Sequence, residues 1–429
     1  MRCVLIVGDG MADLPLRELG FKTPLEVADV RAMNGLVCRG VLGLLDPIAP
    51  GIAPGSDVAN LAFLGYDLGV VCRGRGAFEA AGVGLHVGLE DLAFRCNFVT
   101  VVNKNNENVS GDGVGLCLVD ERAGRIGGVE AKVLGECVAQ EVCLKVHSDV
   151  EVFFRQGLGF KGALVLRGKR LSCNVSAVLP NVGESVGVVA PLDGSFEAKR
   201  TADVLNEFIE LSNKVLKDHP VNVERQRMGK MPANAVLPWS GCGRPDMVSF
   251  EEKYGLKASC VAAASLIKGI GRFSGMEVID VVGATGDVDT DTLAKADAVL
   301  AALNNGGKDF VYVHVEAADE ASHDGDVAGK VLVIKKIDAL VGKIVAGVDL
   351  SNTVIVLVSD HVTSCRFRAH TGDAVPVCFA GGNVVGVVSD GVKGFSERLA
   401  YKGGLGRIRG KDIMPMVLNY MGKPEKLGW

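Results

Sequence analysis

The sequence lacks the features that would place the protein in a membrane or outside the cell. No apolar run approaches the roughly eighteen residues of a membrane span. The N-terminal apolar segment turns polar at Gly8-Asp9-Gly10, too early for a signal peptide. The 12 cysteines form no Cys-x-x-Cys pair, so we expect small buried thiols in a reducing compartment. We therefore predict a cytoplasmic protein with no membrane partner.

An excess of positive charge is also absent. The chain has 46 Lys and Arg against 51 Asp and Glu, a formal net charge of −5 at pH 7. This balance argues against a nucleic-acid partner, which would require a basic surface. The 56 glycines and 14 prolines fall short of a low-complexity composition. We expect a folded protein that binds small molecules or other proteins, and the sequence leaves the oligomeric state open.

The 429 residues favour two domains, and apolar runs that end in polar residues define the first of them. Cys3 to Val7 reads as a buried parallel strand that ends beside Asp9. Between later runs of this kind, Val327 to Val345 has the apolar spacing of a helix. This alternation predicts a doubly wound α/β sheet, which binds ligands at its strand ends. The later strands are predicted at Phe310 to Val315, Val354 to Val358 and Val375 to Ala380.

The middle of the chain has a different pattern of glycine-rich turns and short β-branched runs. Such runs are found at Gly84 to Val87, Phe98 to Val102 and Gly162 to Leu166. The strand pattern of the first 70 residues resumes only after this segment, which predicts an inserted α+β domain. We expect the discontinuous core to span 1–71 and 235–429 and the insertion to span 72–234.

Aspartate and histidine residues collect near the predicted strand ends. Asp319 and His323 are four residues apart and share one face if they lie on a helix. Asp360-His361 follows a strand, and His370 comes shortly after. Each feature alone is also explained by a solvated helix face or a capping aspartate. Together they favour a site for Zn²⁺, Mn²⁺ or Fe²⁺ over Ca²⁺, which prefers oxygen ligands alone.

A serine follows a Pro-Gly turn at Pro54-Gly55-Ser56-Asp57, before a helix predicted over Val58 to Leu64. A serine at a helix start can meet a phosphate where the backbone amides are free. It can equally be a plain helix N-cap. No Gly-x-Ser-x-Gly motif is present, so a hydrolase triad is not expected, and a metal ion is the alternative means of activating the hydroxyl.

These segments belong to an ordered set of motifs that resembles the archaeal-type cofactor-independent phosphoglycerate mutases of the alkaline phosphatase superfamily. The motifs extend from residue 1 into the C-terminal region. They are Gly8-Asp9-Gly10-Met11-Ala12-Asp13, Pro54-Gly55-Ser56-Asp57, Leu64-Gly65-Tyr66-Asp67, Gly74 to Gly82, Phe94-Arg95-Cys96-Asn97-Phe98, Arg122-Ala123-Gly124-Arg125-Ile126, Asp319 to Asp326, Ser359-Asp360-His361 and Ala369-His370.

The resemblance implies an alkaline-phosphatase-like α/β core with an inserted α+β domain. It implies that 3-phosphoglycerate and 2-phosphoglycerate are interconverted through a phosphoserine at Ser56, without 2,3-bisphosphoglycerate. It also implies two divalent metal ions, drawn from Mn²⁺, Co²⁺, Zn²⁺ and Mg²⁺. The matching ligands are Asp9, Ser56, Asp360 and His361 for one ion and Asp319, His323 and His370 for the other.

Substrate-binding residues are implied with less support. Arg95, Arg122 and Arg125 lie in family-like stretches of the inserted segment and are candidates to hold the glycerate carboxylate in a substrate-binding lid. A surface salt bridge is an equal explanation for each. Lys268 matches a phosphate-binding lysine of the core.

The chain departs from the family pattern at positions that bear on substrate preference. Asn60 stands where we expect a histidine, which removes a polar partner near the nucleophile. Ala77 replaces a proline. The segment Leu237 to Gly243, which contains Trp239-Ser240, lacks an arginine that Arg244 would have to replace.

Two other classes of function stay open at the level of sequence. A metal-dependent phosphohydrolase, or a phosphotransferase to an acceptor such as homoserine, would release phosphate from 3-phosphoglycerate without forming 2-phosphoglycerate. A non-catalytic binding protein would keep the fold, but nothing structural would require all seven ligand-type residues.

Overall fold

The structure is a computed structural model that describes residues 1–71, 74–103, 113–386 and 390–426. It divides into two compact units. The core unit comprises Met1–Cys72 and Met247–Trp429, and the inserted unit comprises Arg73–Asp246. The chain therefore leaves the core once and returns to it.

Strands and helices of both units are numbered along the chain. The strands are β1 (Arg2–Gly8), β2 (Gly40–Asp46), β3 (Leu92–Asn103), β4 (Gly113–Asp120), β5 (Glu151–Gln156), β6 (Lys161–Arg167), β7 (Ser185–Gly187), β8 (Ala235–Gly243), β9 (Ala258–Val261), β10 (Glu277–Ile279), β11 (Phe310–Val315), β12 (Thr353–Ser359), β13 (Val362–Ser364), β14 (Ala369–Thr371), β15 (Val375–Gly381) and β16 (Gly406–Arg409). The α-helices are α1 (Pro24–Val27), α2 (Arg31–Val37), α3 (Ser56–Phe63), α4 (Leu68–Val71), α5 (Gly76–Gly82), α6 (Gly128–Glu141), α7 (Phe196–Leu216), α8 (Pro220–Arg227), α9 (Phe250–Tyr254), α10 (Ser265–Phe273), α11 (Thr292–Asn304), α12 (Ala317–Asp324), α13 (Val327–Gly347), α14 (Glu397–Ala400) and α15 (Ile413–Tyr420).

The core unit is built on an eight-stranded sheet in the order β10-β9-β11-β1-β12-β15-β2-β16. The strands from β10 to β12 are parallel, whereas β15 runs antiparallel to both β12 and β2. Alternate residues of the central strands, such as Val4, Val311 and Ile355, join a buried cluster with residues of α2, α11 and α13. The strands predicted in the core are all present, and the predicted helix is α13.

The parallel register brings the ends of the three central strands together. Gly8, the last residue of β1, is opposite Val315 of β11 and Ser359 of β12. The residues that follow, Asp9 and Asp360 among them, therefore meet at one edge of the sheet. This register is the reason why polar residues far apart in the sequence share a site.

The inserted unit has its own sheet and its own core. Its strands follow the order β5-β6-β3-β4-β7, with β8 paired to β3. Residues 235–246, which we expected in the core unit, belong to the inserted unit because β8 pairs antiparallel with β3 from Leu92 to Val99. Gly84 to Val87 does not form the expected strand and follows α5 as an irregular segment. The other two predicted runs lie within β3 and β6.

The cysteines only partly follow the expectation of buried thiols. All cysteines in the described ranges are free; Cys3 and Cys260 are buried, but Cys38, Cys143 and Cys173 are exposed. Cys72 lies outside the described residues. Across the same ranges, no helix combines the length and the apolar character needed to cross a bilayer.

A buried lysine fixes the loop after β1. Lys330 of α13 donates from Nζ to the Asp13 carboxylate at 2.9 Å and to the carbonyl oxygens of Ala12 at 3.0 Å and Thr363 at 2.7 Å. The side chains of Lys330 and Asp13 are fully buried. The lysine thus ties the β1 loop to β13 beneath the ends of the central strands.

We expect Lys330→Ala to lower the free energy of unfolding by about 3–5 kcal/mol, because the Asp13 carboxylate would remain buried without its cation. Lys335→Ala on the exposed face of the same helix is the control and should change the value by less than about 0.5 kcal/mol. Urea unfolding of both variants measures the difference. Equal destabilisation by the two substitutions would contradict this role of Lys330.

Candidate active site

The first group of predicted ligands lies at the ends of β1 and β12. Asp9 Oδ1 is 3.3 Å from His361 Nε2, and Asp360 Oδ2 is 3.4 Å from the same nitrogen. Gly10 donates its backbone N–H to Asp360 Oδ1 at 3.0 Å and adopts a φ of +58°. A Cβ at this position would lie 2.6 Å from Thr363 Oγ1, so the turn requires glycine.

Ser56 is the first residue of α3, two positions before the predicted helix start. Its Oγ lies 3.1 Å from His361 Nε2. Gly55 occupies the N-cap position, and no side chain caps the helix. The alternative interpretation of Ser56 as a plain N-cap is therefore wrong. The hydroxyl lies beside the predicted ligands, at a helix start where free amides favour an anion.

The second group forms around Asp319. Asp319 and His323 both lie on α12, and the predicted shared helix face is present, with Asp319 Oδ2 at 3.5 Å from His323 Nε2. His370 Nε2, on β14, is 3.3 Å from Asp319 Oδ1 and 3.2 Å from His323 Nε2. The hairpin of β13 and β14 thus brings a third ligand to the helix.

The two groups are continuous. The His361 and His370 rings stack with their centroids 3.8 Å apart. Thr363 Oγ1 donates to Asp319 Oδ1 at 2.6 Å and lies 2.9 Å from His361 Nδ1. The structure therefore brings all seven predicted ligands into one cluster.

Hydrogen bonds fix the tautomer of each histidine in this cluster. Each ring holds its Nδ1 next to an acceptor, so Nδ1 carries the proton and donates it. The Nε2 lone pair of each ring then faces the cluster, as in histidines that bind metals. The pairs are His361 with Thr363 Oγ1 at 2.9 Å, His370 with the Pro54 carbonyl at 2.8 Å, and His323 with the Arg368 carbonyl at 2.9 Å.

The electrostatics of the cluster call for positive charge. Burial, and then the neighbouring carboxylates beginning with Asp360, raise the pKa of Asp9 well above its ordinary value. Burial opposes ionisation of Asp319, but its close contact with His370 and the nearby His361 and His323 rings hold its pKa below the ordinary value. The lone pairs of His323 and His370 face each other at 3.2 Å. A divalent cation among these oxygen and nitrogen donors would offset both the repulsion between the carboxylates and the repulsion between the facing lone pairs. The residues therefore fit a metal site.

Sequence reasoning missed His314, a buried residue of β11. Its Nε2 lies 3.3 Å from Asp9 Oδ2, yet among the described residues neither ring nitrogen has a hydrogen-bond partner. Burial lowers the pKa of His314 to about 4, which leaves a neutral ring. Donor atoms of Asp9, His314 and Asp360 lie within 4.8 Å of one another. The signal in the sequence was a lone histidine one residue before the end of an apolar strand.

Known proteins resemble this chain over its full length. The sequence matches the profile of the metalloenzyme superfamily over residues 1–420. It is 44% identical, over the full length of both chains, to a 2,3-bisphosphoglycerate-independent phosphoglycerate mutase of Methanosphaera stadtmanae. It is also 44% identical to the enzyme of that name in Methanopyrus kandleri, over all of this chain and 98% of the relative.

Two solved structures share the fold. The PH0037 protein of Pyrococcus horikoshii superposes with a TM-score of 0.80 at 34% identity, covering 100% of this chain and 99% of that one. The cofactor-independent phosphoglycerate mutase of Thermoplasma acidophilum gives a TM-score of 0.62 at 29% identity, covering 98% and 100%.

This chain belongs to the 2,3-bisphosphoglycerate-independent phosphoglycerate mutase family, within the metalloenzyme superfamily. The predicted family and the predicted α/β core with an inserted α+β domain are confirmed. The family match and the two groups of donors together indicate the use of divalent metal.

The arginines predicted to bind substrate in this mutase all lie in the inserted unit. Arg95, on β3, has its guanidinium 3.5 Å from the buried carboxylate of Glu79 and stacked over the Trp239 ring at 4.7 Å. Arg122 and Arg125 lie in the turn after β4, where Arg125 is exposed with a φ of +55°. Arg95 is therefore already paired, whereas Arg125 is at the surface.

Trp239, in the segment that departs from the family pattern, links two of these arginines. Its indole N–H donates to Asn97 Oδ1 at 3.3 Å, and Asn97 Nδ2 donates to the Glu121 carbonyl at 3.4 Å. Arg122 follows Glu121 in the sequence. Arg95 is therefore connected to the neighbour of Arg122 through the contacts of Trp239 and Asn97 within the inserted unit.

Lys268, on α10, is not part of the described cluster. Its Nζ pairs with Asp280 Oδ1 at 2.6 Å. Within the described ranges, Lys268 makes no hydrogen bond or ion pair with any of the seven predicted ligands. Its phosphate-binding role stays a prediction.

We expect His314→Ala to weaken binding of Mn²⁺ about tenfold or more, because the change removes a buried nitrogen donor beside Asp9. His86→Ala, an exposed histidine of the inserted unit, is the matched control and should bind Mn²⁺ as the wild type does. Titration of metal-stripped protein, followed by the electron paramagnetic resonance of free Mn²⁺, measures both affinities. Unchanged affinity in His314→Ala would exclude this residue from the metal site.

Proposed function

We propose that this protein interconverts 3-phosphoglycerate and 2-phosphoglycerate without 2,3-bisphosphoglycerate, with Ser56 as the residue that carries the phosphoryl group. The observation that supports the proposal most is the position of Ser56 Oγ, 3.1 Å from His361 Nε2 at the first position of α3. A serine in this place has the free amides of a helix start on one side and the metal-type donors on the other.

Two divalent ions are part of the proposal. Asp9, Ser56, Asp360 and His361, with His314 as a further donor, would hold one ion, and Asp319, His323 and His370 would hold the other. Bound ions would lower the pKa of the serine hydroxyl and neutralise the charge of the phosphoryl group. Thr363 and the carbonyls of Pro54 and Arg368 keep the histidine rings oriented for this task.

The reaction then consists of two transfers through Ser56. In the first, Ser56 Oγ forms a bond to phosphorus while the bond from phosphorus to the 3-oxygen of glycerate breaks, and the serine proton ends on that oxygen. Glycerate turns while phosphoserine persists. In the second, the 2-hydroxyl bonds to phosphorus, the bond to Ser56 Oγ breaks, and the proton returns to the serine. No group is consumed, as an isomerase requires.

Glycerate must stay bound between the two transfers, and its carboxylate needs a cationic partner. We propose that the inserted unit is a substrate-binding lid and that Arg122, whose guanidinium lies 3.6 Å from the Glu121 carboxylate, is one of its carboxylate ligands. Arg95 is committed to Glu79 and would act chiefly by orienting the Trp239 ring. Arg125 and Lys268 are secondary candidates for the carboxylate and the phosphate.

We expect Ser56→Ala to abolish mutase activity while metal content and fold are kept, because the hydroxyl is the carrier and only one of several donors. Ser249→Ala is the control, because Ser249 caps α9 by accepting from the Glu252 N–H at 3.1 Å. It should lose about 1 kcal/mol of stability and keep activity.

An enolase-coupled assay measures the mutase activity of the wild type and both serine variants. The protein is first stripped of metal, and Mn²⁺, Co²⁺, Zn²⁺ or Mg²⁺ is then added back singly. Wild-type activity should return with at least one of these ions. Turnover of Ser56→Ala near the wild-type rate would disprove the phosphoserine mechanism. Release of phosphate by the wild type without 2-phosphoglycerate would show a phosphohydrolase instead.

We also expect Arg122→Ala to raise the ratio of free phosphate to 2-phosphoglycerate, because a loosely held glycerate lets water compete for the phosphoryl group. Arg227→Ala is the control, since Arg227 pairs with Glu224 on the exposed face of α8 in the same unit. Phosphate release and 2-phosphoglycerate formation are measured in one reaction. An unchanged ratio and unchanged activity in Arg122→Ala would remove this arginine from the substrate site.

A further inference from the structure

Asn60, four residues after the nucleophile, is a position at which the sequence departs from the family pattern. We expected this departure to remove a polar partner, and the structure corrects that expectation. Asn60 is fully buried on α3, one turn after Ser56, and both the nitrogen and the oxygen of its side-chain amide are hydrogen-bonded. Its Nδ2 donates to the Ser56 carbonyl at 2.7 Å and to Asp360 Oδ2 at 3.1 Å.

The orientation of this amide is fixed by its neighbours. The Ser56 carbonyl and the Asp360 carboxylate are acceptors only, so the nitrogen of Asn60 must face them. The oxygen of Asn60 then faces the opposite side, where the buried hydroxyl of Tyr312 donates to it. A flipped amide would place acceptor against acceptor on one side, so one orientation alone satisfies the site.

The Asp360 carboxylate is held at both oxygens as a result. Oδ1 accepts from the Gly10 backbone N–H at 3.0 Å, and Oδ2 accepts from Asn60. Gly10 follows β1, Asp360 follows β12, Tyr312 belongs to β11 and Asn60 belongs to α3. The network therefore ties the helix that begins with Ser56 to the ends of β1 and β12 and to the middle of β11.

We propose that Asn60, locked by Tyr312, is a positioning residue that sets the Asp360 carboxylate and the first turn of α3 in their relative places for cation binding and phosphoryl transfer. This inference rests on the proposed function, because Asp360 and Ser56 are the groups that Asn60 orients. Partners of this kind affect metal affinity about 10–100-fold in other proteins.

The test uses Asn60→Leu, which keeps the size and branching of the side chain but has no donor. We expect it to weaken Mn²⁺ binding about 10–100-fold. The milder Tyr312→Phe keeps both donors of Asn60 but removes the hydroxyl that holds its oxygen, and should weaken Mn²⁺ binding about two- to tenfold. Tyr254→Phe is the matched control, since it removes another tyrosine hydroxyl, one that donates to the Leu64 carbonyl at 3.0 Å outside the ligand cluster. This control should bind Mn²⁺ as the wild type does.

Three measurements separate positioning from plain stability. Mn²⁺ affinity is measured by titration of metal-stripped protein. Thermal unfolding of the metal-free variants reports fold stability, and KM for 3-phosphoglycerate is measured at saturating Mn²⁺. A positioning role predicts a weaker Mn²⁺ affinity in Tyr312→Phe than in Tyr254→Phe at similar unfolding temperatures, with KM for substrate little changed.

Mn²⁺ affinities of Asn60→Leu and Tyr312→Phe equal to that of Tyr254→Phe would overturn the inference. So would losses of Mn²⁺ affinity that merely follow the loss of thermal stability across the three variants. Should Asn60→Leu fail to fold, Tyr312→Phe decides alone. Failure of the proposed function is recognised separately, because the wild type itself would then bind no divalent cation or form no 2-phosphoglycerate.

Discussion

The site depends on one electrostatic constraint: buried carboxylates and imidazole lone pairs are held so close together that they repel one another unless a cation lies among them. Asp9, Asp319 and Asp360 lie near one another in a buried environment, and the Nε2 atoms of His323 and His370 face each other at 3.2 Å. Burying charge of one sign is strongly unfavourable unless it is neutralised. The surrounding structure has to hold these groups in place, and much of its detail serves that purpose.

The fold meets this constraint with rigid elements. The parallel register delivers Asp9 and Asp360 from adjacent strands, where backbone hydrogen bonds fix their positions. The fully buried Lys330 holds the loop after β1 against β13, which also fixes the position of Thr363. Thr363 in turn connects His361 to Asp319. A small displacement in such a chain of contacts would change donor separations, and separation governs both metal affinity and reactivity.

Asn60 illustrates how a change from a family pattern can be accommodated. An amide donates two hydrogen bonds and accepts others, but its orientation is ambiguous unless a neighbour fixes it. The Ser56 carbonyl and Asp360 fix the nitrogen side of the amide, and Tyr312 of β11, 252 positions away in the sequence, holds the oxygen. The pair makes a polar network in which every amide group is satisfied, the condition under which a buried network gives rigidity.

The sequence by itself determined the family, four strands of the core sheet (β1, β11, β12 and β15) and the seven ligand candidates, because ordered motifs and apolar runs are local properties of the chain. It did not determine where the inserted unit ends. The residues of β8 belong to that unit because they pair with β3, and strand pairing is visible only in the tertiary structure. It gave no reason to select His314, whose meaning comes from the distance to Asp9 and from two unpaired ring nitrogens. It led to the wrong expectation that Asn60 removes a polar partner from the site. The partners of Asn60, Tyr312 and Asp360, are its neighbours only in space. Tertiary structure likewise decided the histidine tautomers and the pairing of Arg95 with Glu79 and of Lys268 with Asp280. The physical reason is that hydrogen bonds and charges act through distance in space and not through position in the chain.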